Sequence, residues 1–516
     1  MMTLYVAPLL GGLLAGLIIT RLMIPLARWT GWLDYPDCQR KLQQQAVPFG
    51  GGVAVYLATL VTLACLNWSE PVVAGLWSSG LPAGGLLVAA TLVLLVGVVD
   101  DRFNLRARHK LYGQIVAVLI VIGAGGCCID RISLFGWTID LGILAVPVTV
   151  LWLLACINAL NLIDGMDGLL GTVGSIALAS FGILAVLSQH HLAALIAFSM
   201  LGAVLGFLWW NLPPARIYMG DAGSMLIGLV VGALAIQTSL KGPATVALGA
   251  PLAILVLPMF DTMAAVIRRK LTGRGLAAAD RGHLHHVLLR HGLTAPRVLI
   301  LAAVLAVLAA GGALASIAFQ NDLYAFVSGA GVIVALVAGK LFGYAEWKLV
   351  QKRLAAAAQA LLQPVQSPAA GQELAVHLQG AARWDLLWQE LLVAAQRLQL
   401  HSLCLDVNAP ALHENYYACW YSTGIGSDAP DLWRIEVPLL LEQRPLGRLT
   451  LTLARRHQSL TEAMQVIIPI IEAAEQRAGQ IICQQTRTPL PQSLAATRET
   501  TELAFTWDAT PVTAKG

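Results

Sequence analysis

Segments long enough to cross a membrane recur along roughly the first two thirds of this chain, and they restrict its fold more than any other feature. A helix needs about 20 mostly apolar residues to span the hydrocarbon core. Stretches near that length centre on residues 4–24, 50–66, 81–99, 111–129, 141–157, 167–187, 191–210, 222–239, 243–264, 298–318 and 324–343. The expectation is an all-α polytopic membrane protein of about eleven transmembrane helices. Composition agrees, because the 516 residues are 57% hydrophobic and only 12% charged, where a soluble chain carries about 25% charged residues. The first stretch, Leu4 to Thr20, lacks a basic leader and is followed by further spans, so it reads as a retained helix rather than a secretory signal.

Charge placement orients the spans, since cytoplasmic loops carry the excess of Lys and Arg. One set of alternate loops holds Arg21, Arg28, Arg40 and Lys41, then Arg102 to Lys110, then Arg216, then Arg268 to Arg297; the other holds only Arg131 and Lys241. With the richer side cytoplasmic, the N-terminus is periplasmic and the chain beyond about Gly343 lies in the cytoplasm. The expected setting is a bacterial inner membrane, with the loops that carry chemistry on its cytoplasmic side. A net charge of +4, dispersed among apolar segments, argues against a nucleic-acid partner. The eight cysteines form no CxxC and no framework spacing, and read as packing residues in a reducing compartment.

Four regions follow: a membrane domain over 1–343, a connector and linker over 344–371, an accessory domain over 372–485, and a Thr-, Pro- and Gln-rich disordered tail over 486–516. The accessory domain reads as a small soluble α/β unit. It has an amphipathic stretch around Trp384 to Leu398, strands near Ser402 to Val407, Tyr416 to Tyr421, Leu432 to Leu441 and Gly447 to Leu453, and a closing helix from Leu460 to Ile482. Its pattern is weakly similar to a GAF-like sensor domain, and no catalytic cluster stands out in it.

Nearly every carboxylate, carboxamide and imidazole cluster of the membrane half falls on the loops assigned to the cytoplasm. Ionisable groups at span ends are costly near lipid and mark a site where they converge. The first loop holds Asp34, Pro36, Arg40 and Lys41. The second pairs Asp100 and Asp101 at the end of the third span with Lys110 and Gln114 at the start of the fourth. Such carboxylates could hold Mg²⁺ or take a proton, and Lys110 could pair with a phosphate.

The third loop is sharper, with Asn158, Asn161, Asp164, Gly165, Asp167 and Gly168 between two apolar spans. Groups spaced three apart share a helix face, and hard oxygen ligands of this kind suit Mg²⁺ with substrate phosphates. In the fourth, Gly220, Asp221, Gly223 and Ser224 run straight into a span, whose N-terminus favours anions. The fifth holds Arg268, then Asp280, Arg281, His283, His285 and His286. Three histidines within four residues make either a transition-metal site or an anion-binding finger, and the oxygen-rich neighbours with no nearby cysteine favour contact with phosphate or sugar.

The order and spacing of these clusters, from about Asp34 to Gly292, resemble the polyprenyl-phosphate N-acetylhexosamine 1-phosphate transferase superfamily, glycosyltransferase family 4. The elements that carry the resemblance are NxxNxxDGxDG from Asn158 and GDxGS from Gly220. DRGHLHHVLLRHG from Asp280 is closer to enzymes that start O-antigen, common-antigen or exopolysaccharide synthesis than to the peptidoglycan translocase. The resemblance implies that Asn161 and Asp221 hold Mg²⁺, with Mn²⁺ as an alternative, and that Asp100, Asp101, Asp164 and Asp167 form the catalytic set around the reacting phosphates. It also implies substrate contacts from Lys110, His283, His285 and His286; Asn158, Arg268 and Arg281, which lie in the same clusters, are expected substrate contacts as well. Lys110 would lie near the lipid phosphate and the histidines would recognise the donor.

The implied partners are a UDP-sugar, undecaprenyl phosphate, the bilayer and a second copy of the chain as a homodimer. One departure is Gln43, where the family commonly has histidine. The rival readings are the same reaction with another UDP-N-acetylated sugar or a muramoyl-pentapeptide donor, a secondary transporter, whose polar groups would sit nearer the bilayer midplane, and a non-catalytic membrane scaffold.

Overall fold

A computed structural model describes residues 2–35, 46–69, 81–238, 245–275, 280, 282–362, 372–380, 382–398, 400–409, 412, 414–422, 432–441, 444–454 and 460–486. The chain divides into two compact units, Met1–Trp347 and Lys348–Gly516. Arg40, Lys41, Gln43, Lys241, Arg281, most of the linker and the tail beyond Thr486 lie outside the described residues.

The first unit is helical throughout its apolar stretches, as expected of a segment that must satisfy its backbone internally in lipid. Its helices are α1 (Met2–Trp29), α2 (Gly51–Ser69), α3 (Leu81–Phe103), α4 (Ala107–Gly123), α5 (Ala145–Ile163), α6 (Leu169–Leu187), α7 (His191–Asn211), α8 (Gly220–Thr238), α9 (Gly249–Ile254), α10 (Val256–Leu271), α11 (Leu284–Arg290), α12 (Ala295–Ala318) and α13 (Leu323–Ala338). Among the described residues eight helices are long and apolar enough to cross a membrane, so this is a multi-pass membrane protein. The other three stretches read from the sequence are shorter or broken: α4, the α9 and α10 pair interrupted at Leu255, and α13.

Helix α8 is the most buried of the eight, and small residues let its neighbours reach its backbone. A side chain on Gly52 of α2 would overlap Gly223, one on Gly97 of α3 would overlap Ala222, and one on Gly228 of α8 would press on Ile157 of α5. Close backbone approach through small residues is how membrane helices associate when burial from water gives no drive between them. The same device joins α1 to α7 through Gly12 and Gly16 against Gly202, Ala203 and Gly206. Three helices are thereby drawn onto α8 near the end that carries Asp221.

At that end the strands β1 (Leu33–Asp34) and β2 (Val47–Pro48) pair antiparallel, and Gly51 and Gly52 donate backbone N–H to the carbonyls of Tyr218 and Met219, each at 2.9 Å. At the opposite end β3 (Arg131–Leu134), β4 (Trp137–Asp140) and β5 (Thr245–Ala247) form a small sheet in the order β4-β3-β5. The sequence reading placed no strands there; strands of three or four residues, with β4 exposed along its whole length, give little period-2 signal.

Helix α14 (Tyr344–Leu362) begins in the first unit and continues into the second. The second unit is a five-stranded antiparallel sheet with β6 (Gln372–Gln379), β7 (Ser402–Ala409), β8 (Glu414–Tyr421), β9 (Leu432–Leu441) and β10 (Arg444–Ala454) in the order β6-β8-β7-β10-β9. Helices α15 (Trp384–Arg397) and α16 (Leu460–Thr486) share its apolar core, in which Trp384, Trp388, Leu405 and Leu449 are fully buried. Every element expected from the sequence is present, with β6 added. One expectation is corrected: Cys404 and Cys419 do not stay free, because they stand directly opposite in β7 and β8 and form a disulfide.

Candidate active site

Adjacent residues at the end of α3 do different jobs. Asp101 accepts the backbone N–H of Asp221 at 2.7 Å and that of Ala222 at 3.3 Å, so its carboxylate caps the N-terminus of α8, where free N–H groups and the helix dipole favour negative charge. This fixes the backbone of Asp221 itself. Gly220 makes the approach feasible: its φ is +73°, and a Cβ there would collide with the Asp101 carboxylate. Asp100 faces the other way, with one oxygen accepting the Leu105 N–H at 2.7 Å and the other 2.9 Å from Lys110 Nζ.

Lys110, one turn into α4, collects oxygens from three other helices. Its ammonium pairs with Asp100 of α3 and Asp221 of α8, and donates to Asn161 Oδ1 of α5 at 3.3 Å. Asn161 in turn donates from Nδ2 to Asp221 Oδ1 at 2.7 Å and to Ser224 Oγ at 2.8 Å. One turn deeper, Asn158 donates to Gln114 Oε1 at 2.9 Å; Gln114 is 1% exposed. Two carboxylates, a carboxamide and a cation from four helices thus form one network, and the sequence spacing of three between Asn158 and Asn161 sets them on neighbouring turns of the same face.

The loop from Asp164 to Gly168 closes this network on one side. Asp167 accepts the Ala215 N–H at 2.9 Å, and Asn211 both accepts the Gly168 N–H and donates to the Ile217 carbonyl, each at 2.9 Å. The loop is therefore stitched to the segment that leads into α8. Burial, reinforced by the nearby charges of Asp221, Asp101 and Asp167, pushes the Asp164 carboxyl well above the ordinary carboxylate range. Those neighbours show that the three acidic clusters converge.

The histidine turn reaches the same loop. His285 is 2% exposed, and its ring rests so closely on Gly165 that a Cβ there would overlap it. Neither of its ring nitrogens has a hydrogen-bond partner among the described residues. Burial, then His286 and His283, hold its imidazole well below the ordinary range, so it is neutral at pH 7. His283 stacks near it, with ring centroids 6.4 Å apart, and lies 3.3 Å from Asp261; His286 packs at 4.2 Å from the His285 ring.

Arg268 is placed differently from its expected substrate contact. It is 2% exposed and its guanidinium is engaged by Asp280 and Glu346, so it holds protein rather than facing a ligand. Arg281 lies outside the described residues. The sequence reading missed Glu346, whose only signal was an acidic residue in an otherwise apolar and basic stretch, and it gave no role to Asp261, which accepts the Leu284 N–H at 3.0 Å.

The model of the family described as glycosyl transferase family 4 matches residues 83–239, which contain the whole network around Lys110. The chain is 33% identical over 288 residues to the probable undecaprenyl-phosphate N-acetylglucosaminyl 1-phosphate transferase of Bacillus subtilis (strain 168), an alignment covering 55% of this chain and 76% of that protein. It is 33% identical to the decaprenyl-phosphate N-acetylglucosaminephosphotransferase of Mycolicibacterium smegmatis, over 60% of this chain and 80% of that one. It is 28% identical to the undecaprenyl-phosphate alpha-N-acetylglucosaminyl 1-phosphate transferase of Escherichia coli (strain K12), over 63% and 87% respectively.

Proposed function

The chain belongs to glycosyl transferase family 4, the superfamily of polyprenyl-phosphate N-acetylhexosamine 1-phosphate transferases, and from this premise we propose that it transfers N-acetylglucosamine 1-phosphate from a UDP-sugar to undecaprenyl phosphate. The products are UMP and undecaprenyl diphospho-N-acetylglucosamine, made at the cytoplasmic face of a bacterial inner membrane as the first step of an O-antigen, exopolysaccharide or other envelope glycan. The proposal includes eleven crossings, with α4, the α9 and α10 pair and α13 added to the eight longer helices, and a GAF-like accessory domain on the cytoplasmic side.

The observation that carries the reading is the convergence of Asp100, Asn161 and Asp221 on one positive charge. Oxygens that already surround an ammonium ion are chemically suited to a hard divalent cation. Mg²⁺ is usually held by one or two protein oxygens and shares the rest of its shell with substrate phosphates and water. Asp221 and Asn161 would hold Mg²⁺, or Mn²⁺, which when bound neutralises charge on the diphosphate.

The chain's own residues supply the rest. An oxygen of the lipid phosphate attacks the donor's β-phosphorus, the bond to the bridging oxygen breaks, and UMP leaves with the electron pair while the sugar's C1–O bond stays intact. Such transfer is mainly positioning and charge neutralisation. Lys110 can exchange its carboxylate partners for phosphate oxygens, Asp101 keeps Asp221 in place, and Asp164 and Asp167 border the reacting groups. Neutral His285, whose two buried ring nitrogens have no partner among the described residues, can donate to and accept from the donor.

The test is UMP release from the purified protein in detergent, given undecaprenyl phosphate, Mg²⁺ and a panel of UDP-sugars. Lipid-dependent release with UDP-N-acetylglucosamine that disappears in Asp221→Asn supports the proposal. Folded protein that releases no UMP with any donor refutes it.

A further inference from the structure

The histidine turn is held from behind by one face of α10. Asp261 and Arg268 are seven residues apart, two helical turns on the same side, and are 1% and 2% exposed. Asp261 accepts the Leu284 N–H at 3.0 Å and meets His283 Nδ1 at 3.3 Å. Arg268 donates from Nε to Asp280 Oδ2 at 2.9 Å and from Nη2 to the same oxygen at 2.6 Å, while Asp280 Oδ1 accepts the Gly282 N–H at 2.8 Å. Its guanidinium lies against Gly282, where a Cβ would overlap it. Two hooks from one helix face therefore define the turn that carries His283 and His285.

The second hook depends on a residue from elsewhere in the chain. Nη1 of Arg268 is paired with Glu346, in the first turn of α14. Together with Arg269, whose Nε is 3.8 Å from Asp280, Arg268, Asp280 and Glu346 form a neutral set of four charges. Without Glu346 a buried guanidinium would keep one unpaired side, a costly state that a side chain relieves by moving toward other acceptors or water.

We propose that Glu346 is a positioning residue for the donor site: through Arg268 it fixes Asp280 and Gly282, and through them the orientation of His283 and the seat of His285 over Gly165. The acid stands where the membrane unit passes into the helix leading to the accessory domain, so the donor site is anchored by the start of that connection. This rests on the proposed reading of the histidine turn as the donor's contact, but the positioning itself is testable apart from activity.

The full-length chain is compared with Glu346→Ala, Glu346→Gln and Glu346→Asp. Amide exchange of Gly282 and Leu284 reads the turn directly: it should quicken by about tenfold or more in Glu346→Ala, with less change in Glu346→Asp. In UMP release with the donor found active, KM for the UDP-sugar should rise on the order of tenfold in Glu346→Ala, while KM for undecaprenyl phosphate stays within about twofold. Glu346→Asp should recover most of the loss. If Glu346→Ala does not fold, Glu346→Gln, which keeps an acceptor, should show the same donor-selective shift at smaller size. Unchanged exchange of the turn, or equal rises in both KM values, overturns the inference. A wild-type protein that releases no UMP refutes the proposed function, and the exchange result still decides this one.

Discussion

Replacing Gly220 by alanine adds one methyl group, at the point where the backbone of α8 and the Asp101 carboxylate meet. The cost has two parts. Holding an L-residue at the left-handed φ of +73° costs about 1–2 kcal/mol. The new Cβ would also overlap the Asp101 carboxylate, which must withdraw from at least one of the two N–H groups it accepts, and a hydrogen bond to a charged group contributes roughly 1.5–3 kcal/mol. The sum is about 2.5–5 kcal/mol. If it falls on the placement of Asp221 during turnover, at about 1.4 kcal/mol per factor of ten, UMP release drops by roughly 60- to 4,000-fold. Gly123→Ala is the control, since no heavy atom lies within 4 Å of a Cβ there and alanine is the better helix former. Lipid-dependent UMP release and thermal unfolding in detergent would be measured for both variants. A Gly220→Ala protein within twofold of wild type in activity and unshifted in melting would refute the assignment of Asp101 as the cap that positions Asp221.

Protonation of His285 gives a pH signature. An unfolded imidazole titrates near 6.5 whereas His285 in the folded chain titrates well below its ordinary value, so between the two the unfolded chain binds the extra proton; stability is therefore full above about pH 6.5 and falls as pH drops through that window. Melting temperatures between pH 5 and 8 should show this decline and His285→Gln should flatten it. Lys110→Arg keeps the charge but replaces a compact ammonium at a site of converging single oxygens with a planar fork, so turnover should fall by about tenfold or more; equal rates would mean the charge alone suffices. Asn158→Ala strips the buried Gln114 of its donor and should destabilise by about 1–3 kcal/mol, with Gln114→Leu added in the same chain recovering part of it; a strictly additive double variant would count against the pair.

The helices of the membrane unit were legible because an apolar run of sufficient length leaves the backbone no other solution in lipid. The accessory domain was legible for different reasons: α15 buries one face, so its helical period survives in the sequence, whereas β7 and β8 are buried along nearly their whole length and read as short runs of strand-forming residues. β6 was lost because Gln372 to Gln379 mixes polar residues into a pattern interrupted by a bulge between His377 and Gln379. The disulfide was hidden because pairing needs register, and Cys404 and Cys419 meet only through the hairpin of β7 and β8.

Within the site, sequence spacing identified residue types but not the directions in which they point. Asp100 and Asp101 read as one pair, yet adjacent positions on a helix diverge by about 100°, so one carboxylate meets Lys110 and the other caps α8. Arg268 looked like a substrate contact because an arginine at a span end usually faces phosphate or water. Its burial is decided by Glu346, 78 residues further along the chain, and no local pattern announces a partner at that distance. The neutral charge set shows why the burial is tolerable: a guanidinium leaves water at bearable cost only when its several N–H donors are met by fixed acceptors. The same requirement makes the Glu346 side chain part of the histidine turn's support although it touches none of the histidines.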